Sequence, residues 1–445
     1  MHAQSIAAAA AVRPTRYRWF VAALFFIIYA VAAADRANLG IVLPFLRKEF
    51  PMSNSEAGGL VSLFLLAYAA AQLPSAWLLS KFGVRKVFTL SMIFTSIATG
   101  LTGMVGSLLA LKMCRVGLGF AEGPLPIGVT TTINNWFPSK EKGTASGIFL
   151  SAVKFGPVIT PIVGAAIIAA WGWKQVFLWF AIPGILLSVF WYLLVTNKPS
   201  ESRFVNAEEF ECITESGRGV SGTHHIATSK PMPRLDKFLR VRDVKVVSTT
   251  GGVLKSWNIM GCALGYCFQL GISSVLLAWI PTYLLTVKKF SIMNMGFVAA
   301  APWIGAIVGN ILGGLLADRI LDKRRKPGML ISAASTAIMM YVLINAPADP
   351  AEYGVLLFLT GILLSIGYSA YMVYPMSFVA KEKFPVANAV VNMGGQLGGA
   401  ATPWIVGMLL DSFGWDYVFS FMAAISCLTF FVVLTIAEPL NLRRS

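Results

Sequence analysis

Charge is scarce in this chain, and acid scarcer than base: 13% of the 445 residues are charged, with 20 Asp or Glu against 36 Lys or Arg. A soluble domain carries roughly 25% charged residues. So little charge, with 56% hydrophobic residues and a mean hydropathy of +0.70, excludes a soluble domain and indicates a polytopic membrane protein. The net charge of +16 would suggest nucleic acid in a soluble chain. Here the bases fall in short clusters between apolar runs, the pattern of loops facing an anionic lipid surface, so the lipid bilayer is the expected partner and nucleic acid is not. Histidine is absent from every apolar run, since His2, His224 and His225 lie in the tail and a polar linker. That removes the clustered His or metal chemistry an intramembrane hydrolase or acyltransferase needs, and no enzyme, metal or cofactor is expected. The five cysteines, Cys114, Cys212, Cys262, Cys267 and Cys427, are odd in number and lack ligand spacing, and four sit in apolar segments as small packing residues. Also missing is a small-residue cleavage site after the first apolar run, which follows Arg13, Arg16 and Arg18, so a retained helix is expected.

Crossing about 30 Å of hydrocarbon at about 1.5 Å per residue takes about 20 residues. Runs of that length fall near 19–46, 57–80, 86–106, 108–136, 145–170, 174–196, 252–284, 293–317, 328–346, 353–379, 386–411 and 416–437. The chain is therefore read as an all-α membrane protein of twelve transmembrane helices. It divides into a tail (1–18), a six-helix bundle (19–196), a linker (197–250), a second six-helix bundle (251–437) and a short tail (438–445). Within the linker, "ESRFVNAEEFECITESGRGVSGTHH" reads as flexible and "RLDKFLRVRDVKVV" as an amphipathic segment on the membrane surface.

Orientation follows from the loop bases. With the N-terminus inside, Arg13, Arg16, Arg18, Lys81, Arg85, Lys86, Lys140, Lys142, Arg319, Lys323, Arg324, Arg325, Lys326, Lys381, Lys383, Arg443 and Arg444 are inside, and Arg47, Lys48, Lys112, Lys174, Lys288 and Lys289 outside: seventeen against six. Both termini are expected in the cytoplasm. The halves also echo each other. "TPIVGAAIIAAWGWKQVF" (160–177) lies over "TPWIVGMLLDSFGWDYVF" (402–419) without a gap at an offset of 242 residues, and "LPSAWLLSKFGVRK" resembles "LGGLLADRILDKRRK". Parallel six-helix repeats put a substrate path between the halves, near the midplane.

Four charges interrupt apolar runs of the first half. Asp35 and Arg36 follow sixteen uncharged residues, Trp19 to Ala34. Arg115 and Glu122 lie seven residues apart in the fourth run, on one helix face about 10.5 Å apart along the axis. A charge at mid-membrane costs about 2.5–3.5 kcal/mol on the insertion scale and faces a bundle interior or a wet cavity. The four are expected either to cement the first and fourth helices or to exchange partners with a proton and an anionic ligand. Gly123, Pro124 and Pro126 set an irregularity beside Glu122.

With these residues the chain resembles the major facilitator superfamily over nearly its whole length, and within it the anion:cation symporter family, which includes bacterial galactonate and hexuronate transporters. The resemblance lies in "DRANL", "AYAAAQLPSAWLLSKFGVRK", "CRVGLGFAEGPLPIG" with "NNWFP", "WIPTYL" and "VVNMGGQLGGAATP". It implies a proton-coupled importer of a small organic anion, monomeric and in a bacterial inner membrane. Asp35 and Glu122 would be the proton-coupling acids, Arg115 the arginine tied to substrate and coupling, and Tyr68 and Asn392 cavity contacts, with Trp279 and Tyr283 of "WIPTYL" beside them. Arg36, Tyr371, Lys154 and Gln396 complete the candidate substrate site; Tyr29, Tyr368 and Tyr374 are further aromatics on probable cavity helices. The loop after the second run departs from the superfamily motif, with Ser80 where an acid is usual, beside Ser75, Lys81, Gly83, Arg85 and Lys86; its second-half counterpart keeps the acid as Gly314, Asp318 and Arg319. Lys154 stands where related transporters have a neutral polar residue. The offset of 242 sets it opposite Gln396, so it is expected either to add a cation beside Arg115, favouring a substrate with two anionic groups, or to snorkel or pair with Glu122. A proton-independent uniporter or exchanger is the rival reading. A drug exporter, which would favour acids without Arg115, stands third.

Overall fold

In hydrocarbon every backbone N–H and C=O must be satisfied within the chain, so each long apolar run folds as a helix. The computed structural model describes residues 14–215, 228–229, 232–242, 244–380, 383–439 and 441–442. His2, Arg13, His224, His225, Lys381, Arg443 and Arg444, named above, lie outside the described residues. The spans of the first half are α1 (Tyr17–Glu49), α2 (Asn54–Phe82), α3 (Val84–Thr102), α4 in two pieces (Leu108–Glu122 and Pro124–Trp136), α5 (Lys142–Trp171) and α6 (Trp173–Leu194). Those of the second are α7 (Trp257–Thr286), α8 (Ile292–Leu315), α9 (Lys326–Ile344), α10 (Pro350–Ile366, continued by Tyr368–Val373), α11 (Phe384–Ser412) and α12 (Trp415–Thr435). Among the described residues nine helices are long and apolar enough to cross a membrane unaided, or ten if the two pieces of α2 are one span. Broken α4, and α11 with its Asn388, Asn392, Gln396 and glycines, complete the twelve.

The sequence repeat is a repeated turn. Gly172 (φ 85°) alone connects α5 to α6, and Gly414 (φ 91°), preceded by Phe413, connects α11 to α12; both take a backbone conformation that favours glycine. The Val and Phe that follow are buried in both halves, as Val176, Phe177, Val418 and Phe419. Helix pairing repeats as well. α1 packs on α5, α2 on α4 and α3 on α6, and their counterparts pair as α7 on α11, α8 on α10 and α9 on α12. Across the halves α2 meets α11, α5 meets α8 and α1 meets α7.

The apolar core shows how the halves are disposed. At the end of the bundle remote from the linker, one cluster joins them, running from Leu39–Leu46 of α1 and Val176–Phe177 of α6 to Ile272–Leu284 of α7 and Val418–Ile425 of α12. Toward the linker end there are two clusters: one, around Phe25, Phe88, Trp136 and Trp191, is confined to the first half. The other, around Tyr266, Tyr371, Tyr374 and Val433, holds the second half and the linker residues docked on it. The halves are thus sealed at the far end and parted toward the linker end.

Polar contacts agree. The Asp411 carboxylate at the end of α11 accepts from the backbone N of Asn54 (2.7 Å), Asn54 Nδ2 (2.8 Å) and the backbone N of Ser55 (2.9 Å), capping α2 across the halves. Ser62 Oγ donates to the Ala400 carbonyl at 2.5 Å. Gly58 lies against the Pro403 carbonyl and Gly407 against that of Asn54, so closely that a Cβ at either would collide with backbone. The linker is bolted at both ends. Glu209, in a short helix (Ala207–Glu215), accepts from the backbone N of Tyr17 (2.9 Å) and pairs with Arg18 (2.9 Å). Asp236 pairs with Arg324 at 2.7 Å, and buried Lys326 Nζ donates to the carbonyls of Leu239, Leu434 and Ile436.

Removing the cross-half cap loosens the seal. In Asp411→Ala the loss of about 1 kcal/mol, typical of a helix cap, shifts the closed-to-open balance at the far end roughly fivefold. Spin labels at Gly106 and Lys289, in exposed far-end loops of opposite halves, should report a larger population at longer distances in this variant; an unchanged distribution would mean the cap does not hold the halves.

Candidate functional site

Successive residues of a helix point about 100° apart, and α1 uses this to send Asp35 and Arg36 in different directions. Asp35 is 1% exposed; its Oδ1 accepts from Asn38 Nδ2 at 3.2 Å, one turn on. Arg36 keeps 19% side-chain exposure. Its Nε donates to Glu122 Oε1 at 2.9 Å and an Nη2 hydrogen to Tyr29 Oη at 3.2 Å, while its guanidinium carbon lies 4.7 Å from the Tyr68 ring centroid. The α4 break places Glu122. Pro124 has no N–H, and Ser91 Oγ of α3 donates to the Ala121 carbonyl beside the break. Glu122 is the last residue of the first piece, fully buried at α1.

Behind this pair lies Arg115, 2% exposed, with Asp35 and Glu122 as charge neighbours and Phe177 5.7 Å below its guanidinium. Asp35 has Thr99 as a further side-chain neighbour. Among the described residues Asn38 Oδ1, Thr95 Oγ1, Arg115 Nε and Glu122 Oε2 are buried with no hydrogen-bond partner, and buried polar atoms left so are places where ordered water binds. Among the described residues no group of three His, Cys, Asp or Glu is placed to hold a metal ion.

A belt of tyrosines carries the wall into the second half. Tyr68 is an electrostatic neighbour of Tyr266, whose hydroxyl hydrogen-bonds that of Tyr368 at 2.9 Å. Over the Tyr368 ring, 4.4 Å from its centroid, sits Lys154 Nζ from α5, which is also 5.7 Å from the centroid of Trp303. Lys154 thus reaches from one half into a recess of the other, lined by Ser273, Trp303, Leu364 and Ser365.

The structure gathers Asp35, Arg36, Tyr68, Arg115 and Glu122, and sets Lys154 across from them at the far end of the tyrosine belt. Asn392 and Gln396 are half-buried on α11, with Asn392 Nδ2 donating to the Asn388 carbonyl. Trp279 and Tyr283 are elsewhere. Trp279 is fully buried and donates its indole N–H to the Pro403 carbonyl at 3.2 Å, and Tyr283 packs on Trp415, Tyr353 and Phe419 in the sealed far-end core. Tyr371 is fully buried against Tyr266, with its hydroxyl unpartnered. In the loops Ser80 Oγ only caps the Trp77 carbonyl (2.8 Å), and Arg85 is held by the Tyr192 carbonyl (2.7 Å) and ring. Lys86 and Arg319 are exposed, Gly314 has open space beside it, and Asp318 pairs with Arg325 at 2.9 Å. Asn38, Tyr266 and Trp303 escaped the sequence reading. Asn38 stood inside the quoted "DRANL", and Tyr266 was the lone aromatic hydroxyl in "GCALGYCFQLG".

An apolar groove of about 410 Å³ along Leu78, Leu90, Phe94 and Phe120 lies on the outer face of the first half.

The family model described as Major Facilitator Superfamily matches residues 25–403 and 295–444. A "Probable galactarate/D-glucarate transporter" of Escherichia coli is 31% identical, over 93% of this chain and 94% of that one. A "Probable sulfoacetate transporter" of Cupriavidus necator is 28% identical (91% and 90%), and a "D-galactonate transporter" of Escherichia coli 27% identical (94% and 94%). Among solved structures, a bacterial homolog of the human lysosomal transporter Spinster, inward-facing and occupied, superposes with a TM-score of 0.72 at 18% identity, covering 94% and 95% of the two chains. A D-xylose-proton symporter does so with a TM-score of 0.72 at 16% identity, covering 95% and 98%. Both likenesses are of fold.

The Arg115–Asp35 coupling can be measured. Arg115→Gln leaves buried carboxylates without their counter-charge and should cost about 3–5 kcal/mol, seen as a clear fall in the melting temperature of the detergent-solubilised protein. Asp35→Asn in the same chain should recover part of it, with a coupling energy of about 1–3 kcal/mol. Simple additivity of the two changes would show that the groups do not interact.

Proposed function

The chain belongs to the major facilitator superfamily and is a multi-pass membrane transporter rather than an enzyme, and we propose that it is a proton-coupled symporter importing a small organic anion of the sugar-acid or hydroxy-acid type. The observation that carries this reading is the Arg36–Glu122 pair on the wall between the halves, with Arg36 partly exposed and Glu122 fully buried. A guanidinium fork is matched to a carboxylate. In this state one edge of it is taken by Glu122 Oε1 and the Tyr29 hydroxyl.

Coupling follows from that occupancy. A substrate carboxylate arriving at Arg36 while Glu122 is ionised would put two anions on one cation where water is scarce, and the repulsion is large in such a medium. Protonating Glu122 removes the competitor and frees the fork, so proton and anion load together. Asp35, held by Asn38 and neighboured by Arg115, is the second acid of the relay, away from the space the anion enters. The tyrosine hydroxyls of the belt and the amides of Asn392 and Gln396 supply neutral donors and acceptors for substrate hydroxyls. The names of the relatives, all for acids, support the substrate class.

Alternating access in this reading is a rocking of the halves: the far-end seal opens as the linker end closes. The loop count of basic residues supports placing both termini in the cytoplasm, so this state opens inward. A bacterial inner membrane and a single chain as the working unit belong to the same proposal.

In proteoliposomes, uptake of an organic acid should rise with an inward proton gradient and collapse with a protonophore; uptake indifferent to both would remove proton coupling and leave a uniporter or exchanger. Asp35→Asn and Glu122→Gln should lose accumulation while keeping counterflow, because the amides imitate the protonated acids. Normal accumulation in both variants would show that the carboxylates are not the coupling sites.

A further inference from the structure

Five charged side chains stand deep within the spans: Asp35, Glu122, Arg36, Arg115 and Lys154. Four answer one another inside the first half, through the Arg36–Glu122 ion pair and the Arg115–Asp35 neighbourhood. Lys154 does not share in this. Among the described residues no carboxylate lies within ion-pair distance of it, and Glu122, the acid that one of the two expectations gave it, is bonded to Arg36. What it touches is the π faces of Tyr368 and Trp303. The second half carries no charge in the interior of any span, its charges Lys326, Glu352, Asp411 and Asp416 standing within three residues of helix ends. The wall opposite Arg36 therefore receives its only deep charge from Lys154, which the first half extends across the gap.

A part-exposed ammonium at mid-membrane, with only ring faces beside it among the described residues, is a site short of an anion. The recess around it offers the hydroxyl-bearing residues Ser273 and Ser365 beside Trp303, and the Tyr266–Tyr368 hydroxyl pair leads back toward Tyr68 and Arg36. We propose that Lys154 receives a second anionic group, so that the transporter selects acids bearing two negative charges, one seated on Arg36 and the other on Lys154. This rests on the organic-anion reading of the preceding section and adds the charge number of the substrate and the residue that counts it. The two cations are separated by neutral tyrosines, so an acid with one charge leaves one of them unanswered, and the selectivity arises from that unpaired cost.

Equilibrium binding to the purified full-length protein tests this without calling on proton coupling. Two matched pairs serve as probes: galactarate against D-galactonate, which share a carbon skeleton and differ by one carboxylate, and sulfoacetate against acetate. Wild-type protein should prefer the dianion of at least one pair by about tenfold or more. Lys154→Gln should weaken that dianion about tenfold while changing its monoanionic partner by less than about twofold. Lys154→Arg, which keeps the charge, should retain the preference and guards against a variant that is merely misfolded. Equal effects of Lys154→Gln on both members of a pair, or no effect on either, would overturn the role of Lys154 and leave the organic-anion reading standing. Wild-type protein that bound none of the four acids would instead strike the organic-anion reading itself, and this proposal with it.

Discussion

A charge in the hydrocarbon layer needs a partner charge or a wet cavity, and the Arg36–Glu122 ion pair at 2.9 Å is the contact on which the rest of this molecule is arranged. Glu122 is held there by the break in α4, which exists because Gly123 and Pro124 interrupt the helix one residue later. Arg36 is held there by two tyrosines, Tyr29, whose hydroxyl oxygen accepts from Nη2, and Tyr68, whose ring face lies under the guanidinium. With the pair in place, Asp35 and Arg115 can be buried behind it in mutual compensation, and the first half supplies every charge set deep in a span. The second half is free to be neutral, apart from the charge Lys154 brings to it.

The distribution of apolar side chains supplies the mechanical counterpart. A single far-end cluster fuses the halves, while two separate clusters, one in each half, lie toward the linker end. Burial of apolar surface against protein gains little over burial against lipid tails, so helix contacts in the membrane are decided by close packing and hydrogen bonds. The far-end seal has both: Gly58 and Gly407 let α2 and α11 touch backbone to backbone, and Asp411 caps α2 from the opposite half. The linker is anchored to each half separately: Ala207–Glu215 to the first through Glu209 and Arg18, and residues 233–239 to the second through Asp236 and Arg324.

The loops that follow α2 and α8 differ for a chemical reason. In the second half Asp318 has a carboxylate with which to hold Arg325. In the first, Ser80 is neutral and satisfies itself on its own helix, so Arg85 turns to the Tyr192 carbonyl and ring, and Lys86 stays exposed. The pseudo-symmetry of helix pairing therefore does not extend to electrostatics at the linker end.

The sequence by itself determined the membrane class, the twelve spans, their division into two sixes and the repeated Gly-Trp turn, because hydropathy over about 20 residues and a glycine at positive φ are local properties. It also singled out Asp35, Arg36, Arg115, Glu122 and Lys154, since a charge in an apolar run is visible without knowing its neighbours. Only the tertiary structure decided what those charges face. Helical periodicity says that Arg36 and Asp35 point apart, but which of them meets the gap depends on where α3, α4 and α5 pack. The same holds for the aromatics. Trp279 and Tyr283 sit in an apolar span as Tyr266 and Tyr368 do, yet the first two are locked in the far-end core and the last two line the path from Arg36 to Lys154. A side chain's residue type fixes what it can bind, while its exposure to the space between two bodies is set by contacts hundreds of residues away along the chain.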